Sequence, residues 1–324
     1  MNDAEPRQGA TMRAVGVTKF GSCDELRTLE LSKPQAGPGE LRIRVRAAAV
    51  NPADTVIRSG GAKSGRSAAS SPPWVPGMDA AGVLDEIGEG VPPRLHVGDD
   101  VMAIVLPAGH HGAYAEYVVV PAESVAKTPA GTSYAEAASL PMNGLTARRA
   151  LDTLGLSPGD RLAITGAAGT LGGYAIQLAR AEGIWVIADA SAADEVLVRS
   201  SGADLVLARG DDIAQRIRDV VPEGVDALLD AAVLDEKSLP AVRDGGQVAT
   251  FRGYQPKVVR NIRFHRIWVH DYARETAKLE ELRRQVEDGT LTLRVACVFD
   301  ADQAAQAHRQ LEAGGTRGRI ILAF

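Results

Sequence analysis

Hydrophobic and polar positions change their rhythm twice along this chain. From Met12 to about Thr128 they alternate in short runs, such as Arg42-Ile43-Arg44-Val45-Arg46, Gly82-Val83-Leu84-Asp85-Glu86-Ile87 and Tyr114-Ala115-Glu116-Tyr117-Val118-Val119-Val120. Turns at Pro38-Gly39, Gly88 to Gly90, Pro92-Pro93 and Gly98-Asp99 separate them. Period-two strands between such turns predict an antiparallel, barrel-like unit. Ala62–Ser71, rich in serine, glycine and alanine, reads as a mobile loop.

From about Ser133 to Phe251 the rhythm becomes strand, helix, strand, helix. Strands are expected at Arg161–Thr165, Ile184–Ala188, Asp204–Leu207, Asp226–Asp230 and Gln247–Phe251, with helices among them at Asp194–Ser201 and Asp212–Val220. That alternation predicts a parallel, doubly wound sheet, so the fold class is α/β. A helix over Ala273–Val286 and a strand over Arg319–Leu322 follow, and the last strand is expected to rejoin the first unit. The boundaries read as 1–130 for a β-rich unit, 131–266 for a nucleotide-binding unit, and 267–324 for the returning segment.

The join after Arg161–Thr165 is the most informative stretch. Gly166-Ala167-Ala168-Gly169-Thr170-Leu171-Gly172-Gly173 sets glycines at G-x-x-G-x-x-G spacing between an apolar strand and a helix-competent run. A turn without Cβ atoms lets the backbone approach a pyrophosphate, and the N–H groups and positive dipole end of the new helix face it. The spacing is one residue longer than the commonest dinucleotide fingerprint, so the context carries the reading. Leu171, Ala175, Leu178 and Ala179 make an apolar stripe at helical spacing, and the strand from Ile184 follows Gly183 directly. The pattern predicts a nicotinamide dinucleotide site built on Gly166, Ala167, Ala168, Gly169, Thr170, Leu171 and Gly172.

Composition adds mainly exclusions. The 324 residues suit two domains, and 45% hydrophobic with 24% charged residues describe an ordinary globular chain. With 36 Lys and Arg against 41 Asp and Glu, a net charge of −5 points to neither a nucleic acid nor a membrane partner. The apolar runs are strand-sized, far below the ~20 residues of a membrane helix. Met1 to Thr11 carries no secretory pattern, so cytoplasmic residence is expected. Two cysteines, Cys23 and Cys297, cannot form a disulfide framework or a four-thiolate zinc site, and each reads as a small hydrophobe.

Six motifs then occur in order: Asn51-Pro52-Ala53-Asp54, Val75-Pro76-Gly77-Met78-Asp79-Ala80-Ala81-Gly82, Val97-Gly98-Asp99-Asp100-Val101, Gly112-Ala113-Tyr114-Ala115-Glu116-Tyr117, Leu140-Pro141-Met142-Asn143-Gly144-Leu145-Thr146-Ala147 and the glycine turn. Together they resemble the zinc-independent quinone oxidoreductase (zeta-crystallin-like) branch of the medium-chain dehydrogenase/reductase superfamily, from about Met12 onward. The resemblance implies a GroES-like catalytic domain, a Rossmann domain, a cleft between them and a homodimer. It also implies hydride transfer from NADPH to quinones or other conjugated carbonyls. Where zinc-dependent relatives place C-x-x-D, this chain has Asn51 before Asp54; where they place G-H-E, it has Gly77-Met78-Asp79; and Met142 replaces a further cysteine. Amide and thioether are poor zinc ligands, so no zinc is expected. His110 and His111 are adjacent, point apart in an extended segment and lack a cysteine partner, which favours a loop or rim role over a metal site.

Without a Lewis acid, a hydride-transfer site must use hydrogen-bond donors to stabilise the developing oxyanion. Asn51 has two readings: a donor at the former ligand position, or the cap of a helix beginning near Pro52. Asp54, the second catalytic candidate, has two readings as well: a residue that orients the backbone or Asn51, or an acid. By resemblance, Asn143 and Thr146 meet the nicotinamide side, Phe251-Arg252-Gly253 touches the carboxamide through backbone groups, and Arg317-Gly318-Arg319 stands for a C-terminal G-K segment, with Arg317 facing a phosphate or solvent. Trp74, Tyr254 and Trp268 read as stacking surfaces for a flat acceptor or as core. Acceptor room is expected to depend on the 62–71 loop and on Phe264–Tyr272. Asp189, ending the second strand of the nucleotide unit, speaks for NADH, whereas the resemblance and Ser191 speak for NADPH. The rival functions are an enoyl-thioester reductase and a cofactor-binding protein without useful turnover.

Overall fold

In the computed structural model, which describes residues 10–61, 71–254 and 257–324, the alternating N-terminal runs are strands. β1 (Thr11–Gly16) pairs antiparallel with β2 (Arg27–Ser32). β3 (Glu40–Val50) buries Leu41, Ile43 and Val45 on one face and turns Arg42, Arg44 and Arg46 to the other, as the pleat requires. α1 (Pro52–Ser59) starts with proline at its first position, where a missing N–H removes no helical bond. β4 (Asp79–Ile87), β5 (Asp100–Ile104), β6 (Tyr117–Pro121), β7 (Val125–Lys127) and the short α2 (Tyr134–Ala138) follow. β4 passes so close to β3 that a Cβ on Gly82 would lie 2.1 Å from Arg44 O, so only glycine fits there.

α3 (Pro141–Leu154) leads into the expected alternation of β8 (Arg161–Thr165), α4 (Thr170–Ala181), β9 (Trp185–Ala190), α5 (Glu195–Ser200), β10 (Leu205–Ala208), α6 (Ile213–Val220), β11 (Val225–Asp230) and β12 (Val242–Thr250). β13 (Arg263–Arg266) was not legible, being four residues with an arginine at each end. These strands form one parallel sheet in the order β10-β9-β8-β11-β12-β13. The order reverses between β8 and β11, the place where open α/β sheets take ligands. Ala163, Ile187, Val225, Leu228 and Val248 of the sheet pack with Ile213 and Ile217 of α6.

After α7 (Thr276–Glu287) the chain returns to the first sheet through β14 (Val295–Asp300), α8 (Ala304–Ala313) and β15 (Arg319–Ala323). That sheet is ordered β14-β15-β3-β4-β5-β7, with β6 also paired to β3, and its core includes Leu41, Ile43, Leu84, Tyr114 and Leu322. Contacts divide the chain into unit 1, up to Pro141 and again over Val295–Phe324, and unit 2, Met142–Arg294. The sequence rhythm set the breaks at 130/131 and 266/267 instead. Residues 267–294 go with unit 2 because Tyr272 donates to Asp152 Oδ2 at 2.6 Å and Thr292 N donates to Gln177 Oε1 at 2.7 Å. The expected 62–71 loop lies outside the described residues, except for Ser71. Among the described residues no helix is long and apolar enough to cross a membrane.

Candidate active site

In unit 2 the glycine turn has the form its spacing suggested. β8 ends at Thr165, and Gly166 takes a left-handed φ of 67°, where an added Cβ would also lie 2.9 Å from Ala232 N. Gly172 lies in the first turn of α4, and a Cβ there would come within 2.5 Å of Gly166 O. Gly169 caps α4, with its N–H on Gly166 O at 3.0 Å. Two side chains brace this turn from behind. Asp189, at the end of β9, accepts from Ala167 N at 3.0 Å, and Arg294 donates to Gly169 O at 3.0 Å. Arg294 passes where a Cβ on Gly173 would sit, 2.4 Å from Nη2, which accounts for the fourth glycine.

Asp189 is 3% exposed. Its second oxygen accepts from Arg209 Nε at 3.0 Å, so both carboxylate oxygens are engaged within unit 2. Arg209 is the residue the sequence reading missed, since it stands 20 positions beyond Asp189 and in none of the motifs. The missing signal is the pairing of β10 with β9, which sets Leu207 opposite Asp189 and Ala208 opposite Ala190. Ser191 donates to Asp194 Oδ2 at 2.6 Å. Asn143 and Thr146 are buried in α3, and the Thr146 hydroxyl donates to Met142 O at 2.5 Å. Phe251, Arg252 and Gly253 follow β12 in a bend, with Arg252 exposed and Gly253 at φ 77°.

In unit 1 the candidates Asn51, Asp54 and Arg319 come together, joined by Asp79, Tyr114 and His308. β15 pairs with β3 so that Ile320 faces Val50, which carries Arg319 alongside Asn51. The Asn51 amide Nδ2 donates to Asp79 Oδ2 at 2.8 Å, and its Oδ1 accepts from Arg319 Nη2. Arg319 Nη2 also donates to Val50 O at 2.6 Å. Asn51 stands at the cap position of α1, where Asp54 reaches back to accept from Asn51 N at 2.8 Å and from Gly77 N at 2.9 Å. The Asn51 backbone thus serves the helix start, as its cap reading expects, and its side chain is taken up by Asp79 and Arg319. Arg317 is half-buried and donates to Thr316 O at 3.4 Å.

Behind Asp54 runs a second line of bonds. Tyr114 Oη donates to Asp54 Oδ2 at 3.2 Å, His308 Nε2 lies 3.1 Å from Tyr114 Oη, and His308 Nδ1 lies 3.3 Å from Arg58 Nη1. Arg58 continues to Glu312 Oε1 at 2.7 Å and to Cys23 Sγ at 2.8 Å. Burial, reinforced by the Arg58 charge, pushes His308 down to about 4, so the ring is neutral near pH 7. An arginine only donates, so His308 Nδ1 accepts, Nε2 carries the hydrogen and donates to Tyr114, and Tyr114 donates onward to Asp54. Burial pushes Asp54 up to about 7; the bonds from Asn51 and Gly77 pull against this, Asp79 adds to it and Arg319 opposes it. Burial also raises the Tyr114 phenol well above its ordinary value, with Asp54 beside it as the next cause. Cys23 is raised by burial and by its bond to Glu312, which keeps it a thiol.

The remaining candidates take other places. His110 and His111 do not point apart: their rings lie 4.2 Å apart at 41°, because His111 N closes a turn onto Ala108 O at 3.1 Å. Trp74 stacks on Phe20 at 4.0 Å, Tyr254 meets Phe264 edge-on, and Trp268 is 45% exposed under the Arg266 guanidinium. Among the described residues no three His, Cys, Asp or Glu side chains are grouped to hold a metal ion.

Comparison with known proteins gives the same architecture. Residues 37–130 match the alcohol dehydrogenase GroES-like domain, and residues 201–322 match the zinc-binding dehydrogenase family. A probable quinone oxidoreductase of Schizosaccharomyces pombe is 28% identical, over 95% of this chain and 96% of its own. A 2-methylene-furan-3-one reductase of Solanum lycopersicum is 30% identical, over 96% of this chain and 79% of its own. Among solved structures, a mycobacterial protein in complex with NADPH is 28% identical with a TM-score of 0.84, covering 97% of this chain and 100% of that one.

Proposed function

This chain belongs to the quinone oxidoreductase branch of the medium-chain dehydrogenase/reductase superfamily, and from that premise we propose that it transfers hydride from a reduced nicotinamide dinucleotide, NADPH before NADH, to a quinone or other conjugated carbonyl, without a metal ion. The observation that carries the reading is the turn at Gly166–Gly172, where a Cβ on Gly166 or Gly172 would meet backbone at 2.9 or 2.5 Å and from which α4 starts at Thr170. The yeast relative is named a probable quinone oxidoreductase, the tomato relative a 2-methylene-furan-3-one reductase, and the mycobacterial neighbour is complexed with NADPH.

The bound dinucleotide supplies the hydride. The chain's own part is to bind and orient it: the Ala167 and Gly169 amides hold the turn in shape through Asp189 and Gly166 O, and the amides of Ala168, Thr170 and Leu171, with the dipole of α4, meet the pyrophosphate. Asn143, Thr146 and the Phe251-Arg252-Gly253 bend serve the nicotinamide end. Asn51 and Asp54 act by position. The Asn51 amide is 0% exposed and bonded to Asp79, Ala49 and Arg319, which suits it to fixing the strand β3 terminus rather than to meeting an acceptor oxygen itself.

Zinc does not fit the residues present. The positions that would ligate it carry Asn51, Met78 and Met142, and the Arg319 guanidinium holds a fixed positive charge against Asn51 Oδ1. The chain is further proposed to work as a homodimer in the cytoplasm. The test is oxidation of NADPH and of NADH with a naphthoquinone acceptor, with and without chelator. Chelator-insensitive turnover is expected, faster with NADPH. No oxidation of either cofactor with quinones or enones overturns the reading and leaves a thioester reductase or a non-catalytic binder.

A further inference from the structure

A carboxylate at the end of the second strand of a nucleotide-binding sheet selects NAD when it is free to meet the ribose hydroxyls, because it then repels a 2′-phosphate. Asp189 occupies that place but is not free. One oxygen holds Ala167 N in the glycine turn and the other holds Arg209 Nε, each at 3.0 Å. Arg209 is fixed by its backbone as well, since its N–H donates to Ala190 O at 2.7 Å and extends the β9–β10 ladder by one residue. Its side chain is nevertheless 43% exposed, and the Nε bond to Asp189 is its one side-chain hydrogen bond among the described residues. The next guanidinium along, Arg216, is occupied by Asp212 and Ala208 O. Ser191, the other candidate for a phosphate contact, donates to Asp194.

We propose that Arg209 is the specificity-determining residue for the 2′-phosphate of NADPH, and that Asp189 is a strut that braces the glycine turn and aims Arg209. The inference rests on the reading of this chain as a nicotinamide-dependent reductase. A guanidinium bound through Nε has its plane fixed and keeps the edge formed by its two terminal nitrogens for a second acceptor, the geometry that phosphate oxygens match. The pairing also cancels the charge that made Asp189 speak for NADH: the pair is neutral where a lone carboxylate would be negative.

Calorimetric titration with adenosine 2′,5′-bisphosphate and with 5′-AMP tests this without turnover, since neither probe carries a nicotinamide. The intact chain is expected to bind the bisphosphate more tightly than AMP. Arg209→Ala should lower that preference by about 10- to 100-fold, the range of a charge-assisted contact, with AMP binding retained or tightened, because Asp189 is then freer for the ribose hydroxyls, as the internal check on folding. Arg209→Lys should keep part of it. An unchanged preference in Arg209→Ala, or no preference in the intact chain, overturns the proposal. Failure of the parent reading looks different: neither probe binds, and neither NADPH nor NADH raises the melting temperature.

Discussion

The polar clusters of the two units commit their hydrogen bonds in opposite ways. In unit 1, Asn51, Asp54, Asp79, Tyr114, His308 and Arg319 are all buried and bond to one another from five separate stretches of chain. In unit 2, the buried groups stand behind the turn, and the groups in front are backbone amides and a half-exposed arginine. A closed polar cluster fixes geometry at the risk of a large loss when one member goes, whereas an open one keeps capacity for a ligand. The two arginines illustrate it. The bond to Asp189 leaves Arg209 reaching solvent, whereas the bonds to Val50 O and Asn51 Oδ1 hold Arg319 at 5% exposed.

The largest effect should come from Arg319→Ala, which leaves the buried Asn51 Oδ1 and Val50 O without their donor and removes the cation that acts on Asp54. A loss of about 3–5 kcal/mol is expected by urea unfolding, and a loss below 1 kcal/mol would break the contrast, showing that the unit 1 cluster is as open as its counterpart. Gly172→Ala comes next. Its methyl would meet backbone at 2.5 Å, so an overpacking cost of about 1–3 kcal/mol should accompany loss of dinucleotide binding in a titration. Tyr114→Phe keeps the ring but removes the link between His308 and Asp54, and should cost about 1–2 kcal/mol in the same unfolding assay.

The pH dependence sharpens the comparison further. Asp54 is raised to about 7 in the folded chain, so it binds a proton more tightly folded than unfolded; its contribution is full below about pH 4 and lost as pH rises through 7. His308 is lowered to about 4, so its contribution is present above about pH 6.5 and lost as pH falls through 4. Between those limits the two slopes oppose each other, and the intact chain should show a shallow profile. His308→Gln should expose the Asp54 slope, with stability falling as pH rises from 4 to 7, by up to about 1.4 kcal/mol per pH unit. Asp54→Asn should expose the reverse. Identical profiles in both variants would show that neither group is held as described. The smallest effect belongs to Ser191→Ala, expected to cost less than about 1 kcal/mol and to leave the bisphosphate-to-AMP ratio unchanged.

The sequence pattern made the sheet of unit 2 legible because each strand and its following helix are local signals. Its failures are equally local. Val242 to Gly246 belongs to β12, but the pairing with β11 jumps from Val242 opposite Val225 to Gln247 opposite Ala227 and Gly245 takes φ 69°, so Asp244-Gly245-Gly246 bulges within the strand. The site was legible as far as motifs reached: Asn51, Asp54, the glycines and Asp189 all mark themselves. Arg209 did not, because its relation to Asp189 exists only once two parallel strands are paired. Nor did His308, which meets Tyr114 across 194 positions and Arg58 across 250.

β15 has a consequence for the order in which this molecule is made. It lies between β14 and β3 in the interior of its sheet, yet β1 to β14 all precede it along the chain. Unit 2, although second to begin, is fully synthesised first, so it can fold while β3 still waits with an open edge. Until residues 319–323 arrive, Asp54 and Asp79 share a pocket with no counter-charge. The arginine that completes the cluster therefore also acts as a timing signal: a chain interrupted before Arg319 has all of unit 2 but lacks the strand that pairs with β3.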